Sequence, residues 1–253
     1  MKRFDEYLNS LRSEESEAYI ELDKDKELAY MAVHIYRFEK VLDAIPISLN
    51  PIRILDIGTT PFTFFIKEAN PHYEVATIDL TNLLEARCKA KHVELRVCNL
   101  ATQPIPFNDS HFDVVIFTEV LEHLPAPPTD IFHEISRVLR TGGKLIFSTM
   151  NFATLVNRVK LLIGICPIVP ADNQFKRGWV HGCGHVREYT MKEILCILRS
   201  CNFTVSKKQL ISATPSVRLI RNPYQLVAQT YRLACLLVPA FRSWIYVECY
   251  KRS

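Results

Sequence analysis

The chain has 253 residues, 48% of them hydrophobic and 23% charged, with a formal net charge of +4. This length and apolar content suit one large domain with decorations, and ordinary charge with only 7 glycines excludes disordered and fibrous classes. The basic residues are scattered rather than blocked, so a nucleic-acid partner is not expected.

Residues 1–45 read as helical: Leu28, Met31, Ile35, Phe38 and Leu42 form one apolar stripe at spacings of three and four. Pro46 and Pro51 then punctuate the chain. This predicts an N-terminal helical cap over 1–48 and a main domain over 49–253. From Ile52 short apolar runs alternate with helical segments. "IRILDI" (52–57) is a first strand, and "PFTFFIKEA" a helix with Pro61 in its first turn. "YEVATIDL" (73–80) is a second strand, followed by a helix over 81–90 with Thr81 as N-cap. Strands follow over 92–100 and 112–120, then an amphipathic helix over 129–140 ended by "TGG", and a strand over 144–150. Residues 151–188 break the rhythm and form an inserted lid. Thr190 caps a helix over 191–201, "FTVSKKQL" is a sixth strand, residues 223–241 are helical, and "SWIYVECYK" (243–251) is a final strand. The alternation predicts an α/β fold with a doubly wound, Rossmann-like, parallel sheet.

Ligands on such sheets lie outside the carboxyl ends of the strands. Polar residues stand at four of those ends: Asp56, Asp79, Asn99, and the group Glu119, Glu122 and His123. A carboxylate about 20 residues past the first turn suits the two hydroxyls of a ribose. The asparagine and the adjacent Leu100 suit an adenine edge. Any one of these residues meets water in most proteins; the coincidence of all four marks a site.

The stretches "ILDIG", "IDL", "FDVVIFTEVLEHL" and "EISRVLRTGGKLIFST" resemble the class I S-adenosylmethionine-dependent methyltransferases, in the type 11-like subgroup. The resemblance covers about residues 50–150, and "HVREYTMKEILCILRSCNF" extends it. It implies a seven-stranded, mostly parallel sheet ending in an antiparallel hairpin, and S-adenosylmethionine as cofactor. It implies Asp56, Gly58, Thr59, Thr60, Asp79, Leu80, Asn99, Leu100 and Glu119 as cofactor residues. The family's first motif is Asp-x-Gly-x-Gly-x-Gly, and here Thr60 and Phe62 replace the later glycines. Thr60 must therefore hold an ordinary backbone conformation, and Phe62 must point into the helix–sheet interface. NAD binding needs G-x-G-x-x-G after the first strand, which is absent.

Methyl transfer relies on collinear positioning, with a general base where the nucleophile is a hydroxyl. His123 is the candidate base. Alternate residues of an extended segment share a face, so His181, His185, Arg187 and Tyr189 would line the acceptor side, with Trp179 as a stacking surface. "HGCGH" offers three metal ligands but no clear fourth, so no metal is expected. In the lid, "NRVKLLIGICPIVP" reads as an apolar wall for the acceptor, or as a weak membrane-surface contact. The expected activity is methylation of a small-molecule or glycan-type hydroxyl. The alternative is a non-catalytic module of the same fold that binds a metabolite or protein partner.

The eight cysteines show no tandem CxxC spacing, the first residues are charged throughout, and no run reaches ~18 apolar residues. These features predict free thiols, a cytoplasmic location and no stable membrane insertion.

Overall fold

The structure, a computed structural model, describes residues 24–70, 72–168, 184–212 and 223–253. Helix α1 (Lys24–Ala44) precedes β1 (Ile52–Ile57), α2 (Pro61–Ala69), β2 (Tyr73–Asp79), α3 (Glu85–Ala90) and β3 (Glu94–Val97). Then come β4 (Phe112–Thr118), α4 (Pro128–Val138), β5 (Leu139–Met150) and α5 (Leu155–Leu162). The chain closes with α6 (Met191–Ser200), β6 (Phe203–Ile211), α7 (Pro223–Leu237) and β7 (Trp244–Lys251).

All seven strands join one sheet in the order β3-β2-β1-β4-β5-β7-β6. Pairs among β1 to β5 are parallel, and β7 runs antiparallel between β5 and β6. This is the expected Rossmann-like sheet. β1 lies between β2 and β4, so the winding direction reverses at its carboxyl end. Loops diverge there and leave room for a ligand.

The apolar runs are explained by cover on both faces. Ile52 and Ile54 of β1 pack with α1 and α2, through Phe38, Val41, Phe62 and Phe65. Leu55 and Ile57 pack with α4 and α6, through Ile131, Ile135, Ile194 and Leu198. Each such buried side chain contributes about 1.5–3 kcal/mol. Of the N-terminal stripe, Met31, Phe38 and Leu42 are buried and Ile35 is half-buried, so α1 shares this core; the side chain of Leu28 lies outside the described residues.

Several boundaries differ from expectation. The helix after β2 begins at Glu85, and Thr81 does not cap it; its hydroxyl accepts instead from Leu83 N at 3.4 Å. The third strand spans only Glu94–Val97, because His92 holds a left-handed φ of 54° and Asn99 starts a turn. The helix before β5 stops at Val138. Gly142 then takes a φ of +72°, and a Cβ on Gly143 would lie 2.8 Å from the Arg140 carbonyl oxygen. The predicted N-cap Thr190 is in place, accepting from Glu193 N at 3.3 Å.

Candidate cofactor and acceptor site

The turn after β1 keeps glycine only where the backbone demands it. Gly58 has a φ of +90°, and a Cβ there would lie 3.1 Å from Val120 Cγ2. Thr60 is extended, with φ −137° and ψ 170°, and is the N-cap of α2. Its hydroxyl accepts from Phe62 N at 3.2 Å, and its own N–H donates to Thr63 Oγ1 at 3.0 Å. The Thr63 hydroxyl donates onward to Asp56 Oδ2 at 2.6 Å. Phe62 turns into the core and stacks on Phe38, with ring centroids 4.3 Å apart. Threonine capping thus organises a loop that glycines organise elsewhere.

The same turn is tied to β2. Gly58 N donates to the Ile78 carbonyl at 2.9 Å, and Thr59 N donates to Asp79 Oδ2 at 2.9 Å. The Asp79 carboxylate is therefore fixed at the end of β2. Asp56 sits deeper. Burial pushes its carboxyl up to about 7, against the opposing pull of the Thr63 bond and Arg37.

A cavity of about 430 Å³ opens along the ends of β1 to β4. Gly58, Asp79, Leu80, Asn99, Leu100, His123 and His185 line it, with an apolar wall of Val120, Leu124, Pro125 and Val186. A smaller cavity of about 130 Å³ shares Gly58, Asp79 and Val120 with it and adds Arg37, Asp56, Thr59, Thr60 and Glu119. The pair suits a nucleoside with a zwitterionic tail. The larger volume is of ligand size, a carboxylate stands where a ribose needs acceptors, and the annex carries both charge signs.

Beyond β4 the chain bends sharply. Glu119 has a φ of 55°; its Oε1 accepts from the Ser148 hydroxyl at 2.7 Å and its Oε2 lies 3.3 Å from Arg37 Nη1. Burial raises the Glu119 carboxyl above the usual range, and the Arg37 cation opposes that shift. Glu122 is buried and accepts from the Thr149 hydroxyl at 2.8 Å; burial, then the Glu119 charge, push it up to about 7. The Glu122 carbonyl accepts from Val186 N at 2.6 Å and Arg187 N at 3.2 Å. These bonds clip the segment 184–187 onto the turn Leu121–His123. His123 Nδ1 lies 3.1 Å from the Gly184 carbonyl oxygen, and the His123 and His185 rings are 4.9 Å apart. Burial lowers His123, while the hydrogen bond to Glu188 raises His185.

Other expected residues are placed differently. Asn99 borders the cavity, but its side-chain oxygen closes its own turn by accepting from Ala101 N at 3.1 Å. Of His185, Arg187 and Tyr189, only His185 lines the cavity: the Arg187 guanidinium lies 5.3 Å from the Tyr189 ring centroid and its Nη2 donates to Glu193 Oε1 at 2.5 Å, while Tyr189 is buried in the core. The clip on Glu122 bends the segment at Val186, so His185 parts from the Arg187–Tyr189 pair. Trp179 and His181 lie outside the described residues. In the described part of the lid, α5 buries nothing, and Val156, Val159 and Leu162 are exposed rather than forming the cavity wall. Val120, Leu124, Pro125 and Val186 form that wall instead. They are ordinary loop residues without a chemical signature, which is why sequence reasoning passed over them. Arg37 was also missed, although a cation beside Phe38 on a buried helix face is a usable signal.

A family model described as a methyltransferase domain matches residues 55–147. The chain is 34% identical over 104 residues to the ubiquinone biosynthesis O-methyltransferase of Alkalilimnicola ehrlichii, covering 39% of this chain and 42% of that protein. It is 29% identical over 119 residues to the biotin biosynthesis bifunctional protein BioHC of Cellvibrio japonicus, covering 46% of this chain and 23% of that protein. The chain thus spans less than half the length of either relative. Among solved structures, an S-adenosylmethionine dependent methyltransferase from Mesorhizobium loti shares the fold, with a TM-score of 0.56 at 18% identity; 84% of this chain and 96% of that one are covered.

Proposed function

We propose that the chain, whose residues 55–147 match a methyltransferase-domain model, is a class I, S-adenosylmethionine-dependent enzyme that methylates a hydroxyl oxygen of a small-molecule or glycan-type acceptor. The observation that carries this reading is the cavity at the ends of β1 to β4, with Asp79 on one side and His123 and His185 on the other. S-adenosylmethionine bound there supplies an electrophilic methyl carbon and a neutral thioether leaving group.

The chain's own residues divide the remaining work. Asp79 accepts from the ribose hydroxyls, while Leu80 and Leu100 flank the base. Arg37, Asp56 and Glu119 in the annex meet the carboxylate and ammonium of the amino-acid tail. Val120, Leu124, Pro125 and Val186 exclude water from the reacting end. His123 borders the point where an acceptor hydroxyl must lose its proton. Its lowered affinity for a proton keeps the imidazole neutral near pH 7, with Nδ1–H held by Gly184 and Nε2 left as acceptor. An oxygen acceptor is supported by the O-methyltransferase named above.

Helix α5 carries a second surface feature. Val156, Val159, Leu162 and Ile163 are exposed around α5, and Arg158 and Lys160 stand among them. No Asp or Glu occurs in residues 151–168. Apolar side chains interleaved with cations and free of acids suit weak contact with an anionic lipid surface. Among the described residues, no helix is long and apolar enough to cross a membrane.

Isothermal titration with S-adenosylhomocysteine tests the reading. Binding that Asp79→Ala weakens at least ~10-fold supports it. No heat at millimolar ligand would favour the non-catalytic module instead.

A further inference from the structure

We propose that Glu122, His123 and His185 form a binding site for one divalent transition-metal ion on the wall of the cavity. One ligand atom from each lies within 4.8 Å of those from the other two. The three come from two separate chain segments, and the backbone bonds from Val186 and Arg187 to the Glu122 carbonyl hold those segments together.

The surroundings are those of coordinating side chains. The Glu122 carboxylate is oriented by the Thr149 hydroxyl at 2.8 Å. His123 is oriented by Nδ1 donating to the Gly184 carbonyl at 3.1 Å, which presents the Nε2 lone pair to an ion. His185 Nδ1 lies 3.4 Å from the Glu188 carboxylate. A metal-binding histidine commonly donates its second ring nitrogen to a carbonyl or carboxylate in this way. His185 is the most exposed of the three. Bonds of ~2.0–2.2 Å require the trio to draw closer than 4.8 Å, and this exposed ring is the member with room to move.

The donor set selects the ion. Two imidazoles and one carboxylate suit Zn²⁺ and its transition-metal neighbours, whereas Mg²⁺ and Ca²⁺ prefer oxygen donors throughout. Three protein ligands also leave coordination positions open, the arrangement of a reactive rather than a purely structural ion. His123 and His185 both line the cavity, so an ion held by them would border the ligand space.

The role of the ion rests on the methyl-transfer reading; its binding does not. An acceptor hydroxyl on the ion loses its proton to water at lower pH than it would free. The oxygen then forms its bond to the methyl carbon as the carbon–sulfur bond breaks, with that electron pair left on sulfur. His123 on this account holds the ion and does not itself take the proton.

The test uses the full chain stripped with chelator and dialysed against Zn²⁺, with metal content measured per chain, and Co²⁺ visible spectra as a second probe. One equivalent of Zn²⁺ is expected. Affinity should fall at least ~10-fold in His123→Ala and in His185→Ala, and stay unchanged in His133→Ala, an exposed histidine on α4. Circular dichroism checks that each variant is folded, and His185→Ala, at an exposed position, keeps the test open should His123→Ala, at a half-buried one, unfold. Absence of bound Zn²⁺ overturns the site. So does binding that survives His185→Ala but is lost in Cys183→Ser. Parallel titration with S-adenosylhomocysteine separates the two readings: nucleoside binding without Zn²⁺ sinks the metal site alone, and Zn²⁺ without nucleoside binding sinks methyl transfer alone.

Discussion

Arg37 Nη1 on α1 lies 3.3 Å from Glu119 Oε2 at the end of β4, and their side chains are only 2% and 12% exposed. A buried pair of this kind stabilises little relative to an apolar pair, but removing one partner strands a charge. Arg37→Met should cost about 3–5 kcal/mol, and Arg37→Met with Glu119→Gln should recover a large part of that loss. Urea unfolding of the two single variants and the double variant checks this; additive losses would show that the ion pair is not coupled.

The turn after β1 makes opposite demands at two neighbouring positions. Gly58→Ala forces a side chain into a positive φ and against Val120, so it should destabilise by more than 1 kcal/mol. Thr60→Ala removes an N-cap and should cost about 1 kcal/mol, whereas Thr60→Gly should cost only a few tenths. Thermal melts in the absence of ligand measure all three. A Thr60→Ala variant as stable as the parent would show that the hydroxyl is not acting as a cap.

Asp56 links stability to pH. Its carboxyl titrates near 7 in the folded chain, above its unfolded value of about 3.9. Between those values the native state keeps a proton that the unfolded chain has released. The stability this contributes is complete below pH 4 and is lost as pH rises through 7. Asp56→Asn removes the dependence. Its stability relative to the parent should therefore improve by about 2–3 kcal/mol from pH 5 to pH 8. Denaturant midpoints at the two pH values supply the comparison, and a constant difference would mean that Asp56 is ionised across the range.

The exposed surface of α5 should bind vesicles containing phosphatidylglycerol in co-sedimentation at low salt, and release them at 0.5 M salt. Leu162→Asp and Ile163→Asp, at positions 86% and 64% exposed, should abolish binding without loss of fold. Equal binding to neutral vesicles would remove the electrostatic part of the account.

The amino-acid sequence alone determined the alternation of strands and helices, and with it the parallel sheet and the strand ends where a ligand belongs. Apolar runs such as "IRILDI" and caps such as Thr190 act over a few residues, so they can be read locally. Asp56, Gly58 and Asp79 were legible for the same reason: each closes or follows a strand. Tertiary structure decided which polar groups meet. The sheet order sets Arg37 against Glu119, and the backbone clip on Glu122 carries His185 to His123 while turning Arg187 and Tyr189 away. Such meetings depend on strand order and on hydrogen bonds between distant segments, and neither leaves a period in the sequence.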